Sequence, residues 1–196
     1  YQFQSRDQDD ISIELKLSSD QNQDSRWLIG AYYAEIERDV AVSYGADLGK
    51  GFELKSYVPA SGKNPTDLMF DDSFNTDVFS IFGQYSVDLS DVTELSIEGR
   101  YDKEKRSVNN NVPGVASALY YGGGTPINPA MGAVGDIIPS RDKSFDQFQP
   151  KISLTTSADN TTVYASYGVG FRSGGFNSSG SAATTEFWLN SGNPFG

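Results

Sequence analysis

The sequence predicts an all-β fold of the transmembrane kind, an antiparallel up-and-down β-barrel of which about six strands are present. Three observations predict it: apolar and polar residues alternate with period two, short and long connections alternate along the chain, and the composition is one of strands and turns. Leu, Ile and Val are thin for 196 residues while Gly, Ser, Asn, Asp, Thr and Tyr abound, and 13% of residues are aromatic. Mean hydropathy is −0.44. Such a composition favours pleated strands and turns over helices.

The clearest strand runs from Glu94 to Asp102. Leu95, Ile97, Gly99 and Tyr101 share one face; Glu94, Ser96, Glu98, Arg100 and Asp102 share the other, a separation that only a period of two achieves. The preceding segment sets Phe79, Ile81, Gly83, Tyr85, Val87 and Leu89 against Val78, Ser80, Phe82, Gln84, Ser86 and Asp88, with Val78 and Phe82 as apolar exceptions. Ser90-Asp91-Val92 supplies the turn of this hairpin. A second hairpin pairs Pro150, Ile152 and Leu154 with Val163, Ala165, Tyr167, Val169 and Phe171 across the turn Ser157-Ala158-Asp159-Asn160. A third opens with Ile11, Ile13, Leu15 and Leu17, turns between Ser19 and Ser25, and returns from Trp27 to Glu37. The return strand is apolar on both sides, so its facing is open.

Long connections are expected at about 38–75 and 106–146, with another segment after Arg172. Long loops at one end of the sheet and short turns at the other are the pattern of bacterial outer-membrane barrels. The strands approach the roughly 9–11 residues needed to cross a bilayer. Phe79, Tyr101, Phe148 and Phe171 stand at strand ends, where an aromatic girdle falls. Six strands do not close a barrel around a lumen, which takes about eight, and an open sheet leaves two bare edges in lipid. The chain therefore reads as an excerpt of a larger barrel. A passive porin-like or adhesin barrel and a soluble secreted β-sandwich are the alternatives.

Several functions are disfavoured. The formal net charge of −11 opposes a nucleic-acid partner. The absence of Cys and His removes thiolate sites and the commonest general base and metal ligand, so neither an enzyme nor a metal site is expected. Asp71-Asp72 offers too few oxygens for a cation. Gly122-Gly123-Gly124 lacks the lysine and helix context of a phosphate loop. Asn160-Thr161-Thr162 and Asn177-Ser178-Ser179 fit the glycosylation pattern, a coincidence in a bacterial envelope protein.

Phe148-Gln149-Pro150-Lys151-Ile152-Ser153-Leu154 followed by Thr162 through Asn177, which includes Tyr164-Ala165-Ser166-Tyr167 and Gly170-Phe171-Arg172-Ser173-Gly174-Gly175-Phe176-Asn177, resembles the barrel of TonB-dependent receptors. Val163 and Val169 depart from that family's usual Leu and Lys. Ile11 through Ser19 with Trp27 through Tyr33, and Phe79 through Tyr85 with Leu95 through Asp102, resemble two further hairpins of the family in the same order. The resemblance fails in the long loops. It implies a 22-stranded barrel in a bacterial outer membrane, with residues 1–196 as part of that one domain and the plug domain and TonB box absent from this chain. It also implies import of a scarce large ligand, such as a ferric siderophore or other iron complex, cobalamin, haem or an oligosaccharide, driven by a TonB complex. No resident cofactor is expected; the partners are lipid, TonB and the small-molecule ligand. Candidate ligand-binding residues are Arg172, lumen-facing by parity, Phe176 and Asn177 beyond it, and Tyr120 and Tyr121 in a long loop. Arg172 is expected either to meet an anionic ligand or to pair with a lumen carboxylate such as Glu98. Arg100 is expected to join Glu94, Glu98 and Asp102 in a charge network.

Overall fold

The computed structural model describes residues 1–55, 58, 62–111 and 139–178. They form one antiparallel sheet of six strands in chain order, β1 (Gln2–Ser18), β2 (Ser25–Gly45), β3 (Thr66–Ser90), β4 (Thr93–Asn110), β5 (Arg141–Ala158) and β6 (Thr161–Gly168). There is no helix among the described residues. Each strand bonds only to its neighbours in sequence, leaving β1 and β6 as open edges of an incomplete barrel.

The three short connections lie where the turn residues stand. At the first, the Asp20 carboxylate accepts the Asn22 backbone N–H at 3.0 Å, and this bond, first among its causes, holds the Asp20 pKa below its ordinary value. At the third, two residues suffice: Asp159 takes φ = 50°, a conformation that Asp tolerates through its short polar side chain.

The register settles the facing of β2. Trp27 opposes Tyr85, Ala31 opposes Ile81 and Tyr33 opposes Phe79, while Ile13 opposes Tyr33 and Leu15 opposes Ala31. Directly paired residues share a face. Trp27, Ile29, Ala31 and Tyr33 therefore join Ile13, Leu15, Ile81, Ile97, Ile152 and Leu154 on one continuous apolar wall. Its side chains are open to the surroundings, Ile11 and Leu15 at 68% and Ile81 at 50% exposure. No second sheet covers this wall among the described residues, which a β-sandwich would require. On β3 the wall runs from Phe79 to Leu89, about 34 Å of strand at roughly 3.4 Å per residue and about 26 Å of height at a tilt near 40°. That matches the hydrocarbon band of an outer-membrane barrel.

The long connections are shorter than the sequence suggested. They span 46–65 and 111–140, not 38–75 and 106–146, and β1 begins at Gln2 rather than Ile11. The physical reason is a reversal of polarity. Above Tyr33, Phe79, Tyr101 and Phe148 the outer wall turns charged, with Glu35 opposite Asp77, Asp9 opposite Glu37 and Lys105 on the other side of Asp77. The inner wall there carries Ile36, Val40, Val42, Phe74 and Val108, of which Val42 and Val108 are buried. Strands that rise out of the membrane meet water on both walls, so the lipid-type alternation stops although the ladder continues. The aromatic residues that mark the end of that alternation form the upper girdle; Trp27 and Tyr85 face each other lower on the same wall.

Candidate functional site

The inner face is built from the opposite parity of every strand. At its lower end Arg26 makes two bonds to Asp88, at 2.8 and 2.7 Å, and also reaches Glu94. In the middle Arg100 Nε donates to Asp102 at 2.7 Å and Arg100 Nη2 to Ser80 Oγ at 2.8 Å. Ser80 and Gln149 also donate to Asp102, and the three bonds together compensate its burial. Lys151 pairs with Glu98 at 3.0 Å. The single network expected around Arg100 is thus three separate groups. Glu94 goes to Arg26 and Glu98 to Lys151, because cross-strand register, invisible in the linear sequence, sets which charges meet.

The two apolar exceptions on this face have different surroundings. Val78 is half-buried opposite Ala34. Phe82 opposes Gly30 and lies in the space a side chain would fill there, so that a methyl group at Gly30 would overlap the ring and come 2.9 Å from the Leu15 carbonyl. The Lys16 and Arg100 charges stand 5.9 and 5.6 Å from the ring centroid, within cation–π range.

Above the girdle the inner wall forms two adjoining clefts. One, of about 270 Å³, is lined by Gln8, Ile36, Arg38, Phe74, Arg106 and Phe176 among others. The second, of about 310 Å³, shares Arg38, Phe74 and Phe176 and adds Arg6, Asn177 and Ser178. The Arg38 guanidinium stacks 4.5 Å from the Phe74 centroid. Arg106 pairs with Glu104 at 2.8 Å and donates to Ser173 Oγ at 2.7 Å.

Residues 171–178 close these clefts. The sequence extended the last strand to Phe171 and Arg172, but β6 ends at Gly168. One further backbone bond, Val169 to the Pro150 carbonyl at 2.9 Å, follows. Gly168 and Gly170 weaken the pleat around it, and the chain then crosses the inner wall. The crossing is tight, since a Cβ at Gly174 would lie 2.7 Å from the Phe145 ring.

Of the expected ligand-binding residues, Phe176 and Asn177 are brought together on the cleft. Arg172 is exposed, beyond the strand end, and does not pair with Glu98. Tyr120 and Tyr121 lie outside the described residues. Arg6, Arg38, Phe74 and Arg106 were not singled out from the sequence. Arg38, Phe74 and Arg106 lie in stretches read as loops and Arg6 precedes the first strand read, and strand parity would have revealed them once those stretches were read as strand.

Asp71 and Asp72 point to opposite walls, as neighbours in a strand must. Asp71 accepts from Asn111 at 3.3 Å and Asp72 from Asn110 at 3.1 Å. Burial, the leading cause, pushes the Asp71 pKa up. Among the described residues no cluster of three or more carboxylates is arranged to hold a metal ion.

A single sheet with an uncovered apolar wall, an aromatic girdle and a polar inner face defines a membrane-embedded β-barrel. The TonB dependent receptor-like β-barrel family model matches residues 1–195. The chain belongs to this family, whose members are outer-membrane receptors and transporters of Gram-negative bacteria and not enzymes. No curated protein matches the chain at the significance required.

Proposed function

We propose that this chain is one contiguous part of the barrel of an importer for a scarce large nutrient, a ferric siderophore or another iron complex. Its plug domain and TonB-contacting box belong to receptor sequence outside residues 1–196. The carrying observation is the family match over residues 1–195. The clefts on the inner wall above the girdle support a ligand-receiving role, because concave sites with a few convergent polar groups are where ligands bind. In this reading Phe176 and Asn177 contact the ligand on the cleft, and Arg172, Tyr120 and Tyr121 are further candidate contacts. TonB supplies energy through the plug.

The test is accumulation of radioactive iron by cells carrying the full-length receptor, with and without a functional TonB complex. Accumulation of a ferric chelate only when TonB is present is the expected result. Equal permeation without TonB would point to a passive porin-like barrel. TonB-dependent uptake of cobalamin or an oligosaccharide, but no iron chelate, would keep the importer and remove iron.

A further inference from the structure

Only the lower part of β5 has a partner on each side. β6 pairs with it from Lys151 to Ala158, and one more bond joins Val169 to the Pro150 carbonyl. Above that point β5 continues to Arg141, paired with β4. Its other edge, from Lys143 to Gln149, has no ladder partner among the described residues. Such an edge is a template for a further strand.

The next residues of the chain fit it. Continuing the register of Lys151 with Gly168 without a shift sets Phe171 against Phe148, at the girdle, and Gly174 against Phe145. Parity then turns Phe171, Ser173 and Asn177 outward and Arg172 and Phe176 inward. That outer wall is aromatic at the girdle and polar above it, like those of the neighbouring strands. A trace of this register is already present. The Phe145 ring occupies the side-chain space of Gly174, where a Cβ would lie 2.7 Å from it. Gly30 and Phe82, directly paired in the formed ladder, make the same ring-over-glycine contact. Gly174 thus sits at its would-be partner although the ladder stops at Val169.

Beyond Gly174 two paths exclude each other. On the observed path Ser173 Oγ accepts from Arg106 at 2.7 Å on the inner wall, and Phe176 and Asn177 line the clefts. On the ladder path Ser173 faces outward opposite Asp146, and Phe176 stands beside Lys143, three strand spacings or roughly 14 Å from β3. The observed path gains a few side-chain contacts; the ladder path gains backbone bonds. A hinge is available at Gly170, where a Cβ would meet nothing within 4 Å.

We propose that residues 170–178 exchange between two pairings, the observed strap across the inner wall and a continuation of β6 zipped onto the upper edge of β5. Phe176 and Asn177 line the clefts in the first and leave them in the second, so the exchange closes and opens the clefts. It is a property of the chain's pairing and does not depend on what the barrel carries.

Disulfide trapping tests it. Residues 1–196 contain no Cys; the variants are made in the full-length receptor in outer-membrane vesicles, with any Cys elsewhere changed to Ser and assembly checked by heat-modifiable migration. Ser144→Cys with Gly175→Cys reads the ladder path. There the two are direct partners with Cα atoms about 5 Å apart, within disulfide reach. In the strap they lie on opposite walls, Ser144 outward opposite Lys105 and Gly175 over Arg106, where a Cβ would lie 3.5 Å from Nη1 and has room. Asn177→Cys with Asp142→Cys, the next outward pair, replaces them should that variant fail to assemble. Asn75→Cys with Ser107→Cys, directly paired in β3 and β4, is the standard for a permanent ladder. Under mild oxidation the Ser144–Gly175 pair is expected to close completely but more slowly than the standard, by about tenfold or more. Adding Ser173→Ala, which removes the bond from Arg106, is expected to speed closure about tenfold, and Phe176→Leu to speed it independently. No disulfide in any of these backgrounds would show a permanent strap and overturn the exchange. Closure as fast as the standard would show that the strap is not populated and overturn it too. Slow closure that neither Ser173→Ala nor Phe176→Leu speeds would remove the strap as the competing state.

Discussion

At the scale of single residues, two side chains show how local chemistry is fixed by distant partners. Gly30 lies in a strand, where glycine ordinarily weakens the ladder, yet the Phe82 ring occupies its missing side-chain space and shields the backbone, as aromatic residues do opposite strand glycines. Gly30→Ala is expected to cost about 1–3 kcal/mol through overpacking. Adding Phe82→Leu should return part of that loss, a non-additivity that guanidinium unfolding of the full-length receptor in lipid vesicles will read. Asn64 is fully buried in the connection 46–65. Its Oδ1 accepts from the Leu48 N–H at 2.8 Å and the Lys50 N–H at 3.2 Å, and its Nδ2 donates to Asp47 at 2.9 Å. Asn64→Ala leaves the Leu48 and Lys50 N–H groups without that acceptor, at about 1–3 kcal/mol for the loop. Faster protease cleavage within 46–65, with the barrel strands still protected, is the expected outcome. Nothing in the linear sequence distinguishes Asn64 from other loop asparagines; its role comes from the return of the chain beside Asp47 and Gly51.

At the scale of elements, each strand combines two environments. Below the girdle its outward residues are mostly apolar and meet lipid; above it they are charged or polar, as Glu35, Asp77 and Lys105 are, and meet water. The cost of a charge on the outer wall should therefore depend on height. Ile29→Lys, near the middle of the apolar band, is expected to destabilise the full-length receptor by about 2–4 kcal/mol, and Glu35→Lys by no more than about 1 kcal/mol. Equal costs in vesicle unfolding would mean that the girdle through Tyr33 and Phe79 does not mark the membrane boundary. The same two-environment design explains which strand limits were legible. The span Ile11 to Leu17 was clear because it faces lipid. Gln2 to Asp10 was not, since a run such as Ser5-Arg6-Asp7-Gln8 carries no alternation of hydropathy and is held by its pairing with β2.

At the scale of the whole molecule, the two open edges dominate. The outer strands β1 and β6 each present unpaired backbone groups at membrane depth, where every such group costs several kcal/mol. Residues 1–196 by themselves are expected not to give a cooperative unfolding transition in either water or detergent, whereas the full-length receptor is expected to show heat-modifiable migration and protease resistance. A cooperative transition of the isolated segment in aqueous buffer would contradict a lipid-facing wall. The inner face gains its character at this scale as well, since the clefts exist only because residues 171–178 cross from β5 toward β1 and bring Phe176 to Arg38 and Phe74.

The sequence by itself determined the strand class, the three hairpins, the membrane setting and the family, because side-chain alternation and turn chemistry are local properties written every second residue. Tertiary structure alone decided the facing of Trp27 to Glu37, the division of the lumen charges among Arg26, Arg100 and Lys151, and the full height of the strands. Each of these depends on which residue stands opposite which, and register is a relation between segments tens of residues apart. For the same reason Phe176 and Asn177 could be marked as candidates from their sequence neighbourhood, while the arginines that meet them became visible only when six strands were laid side by side.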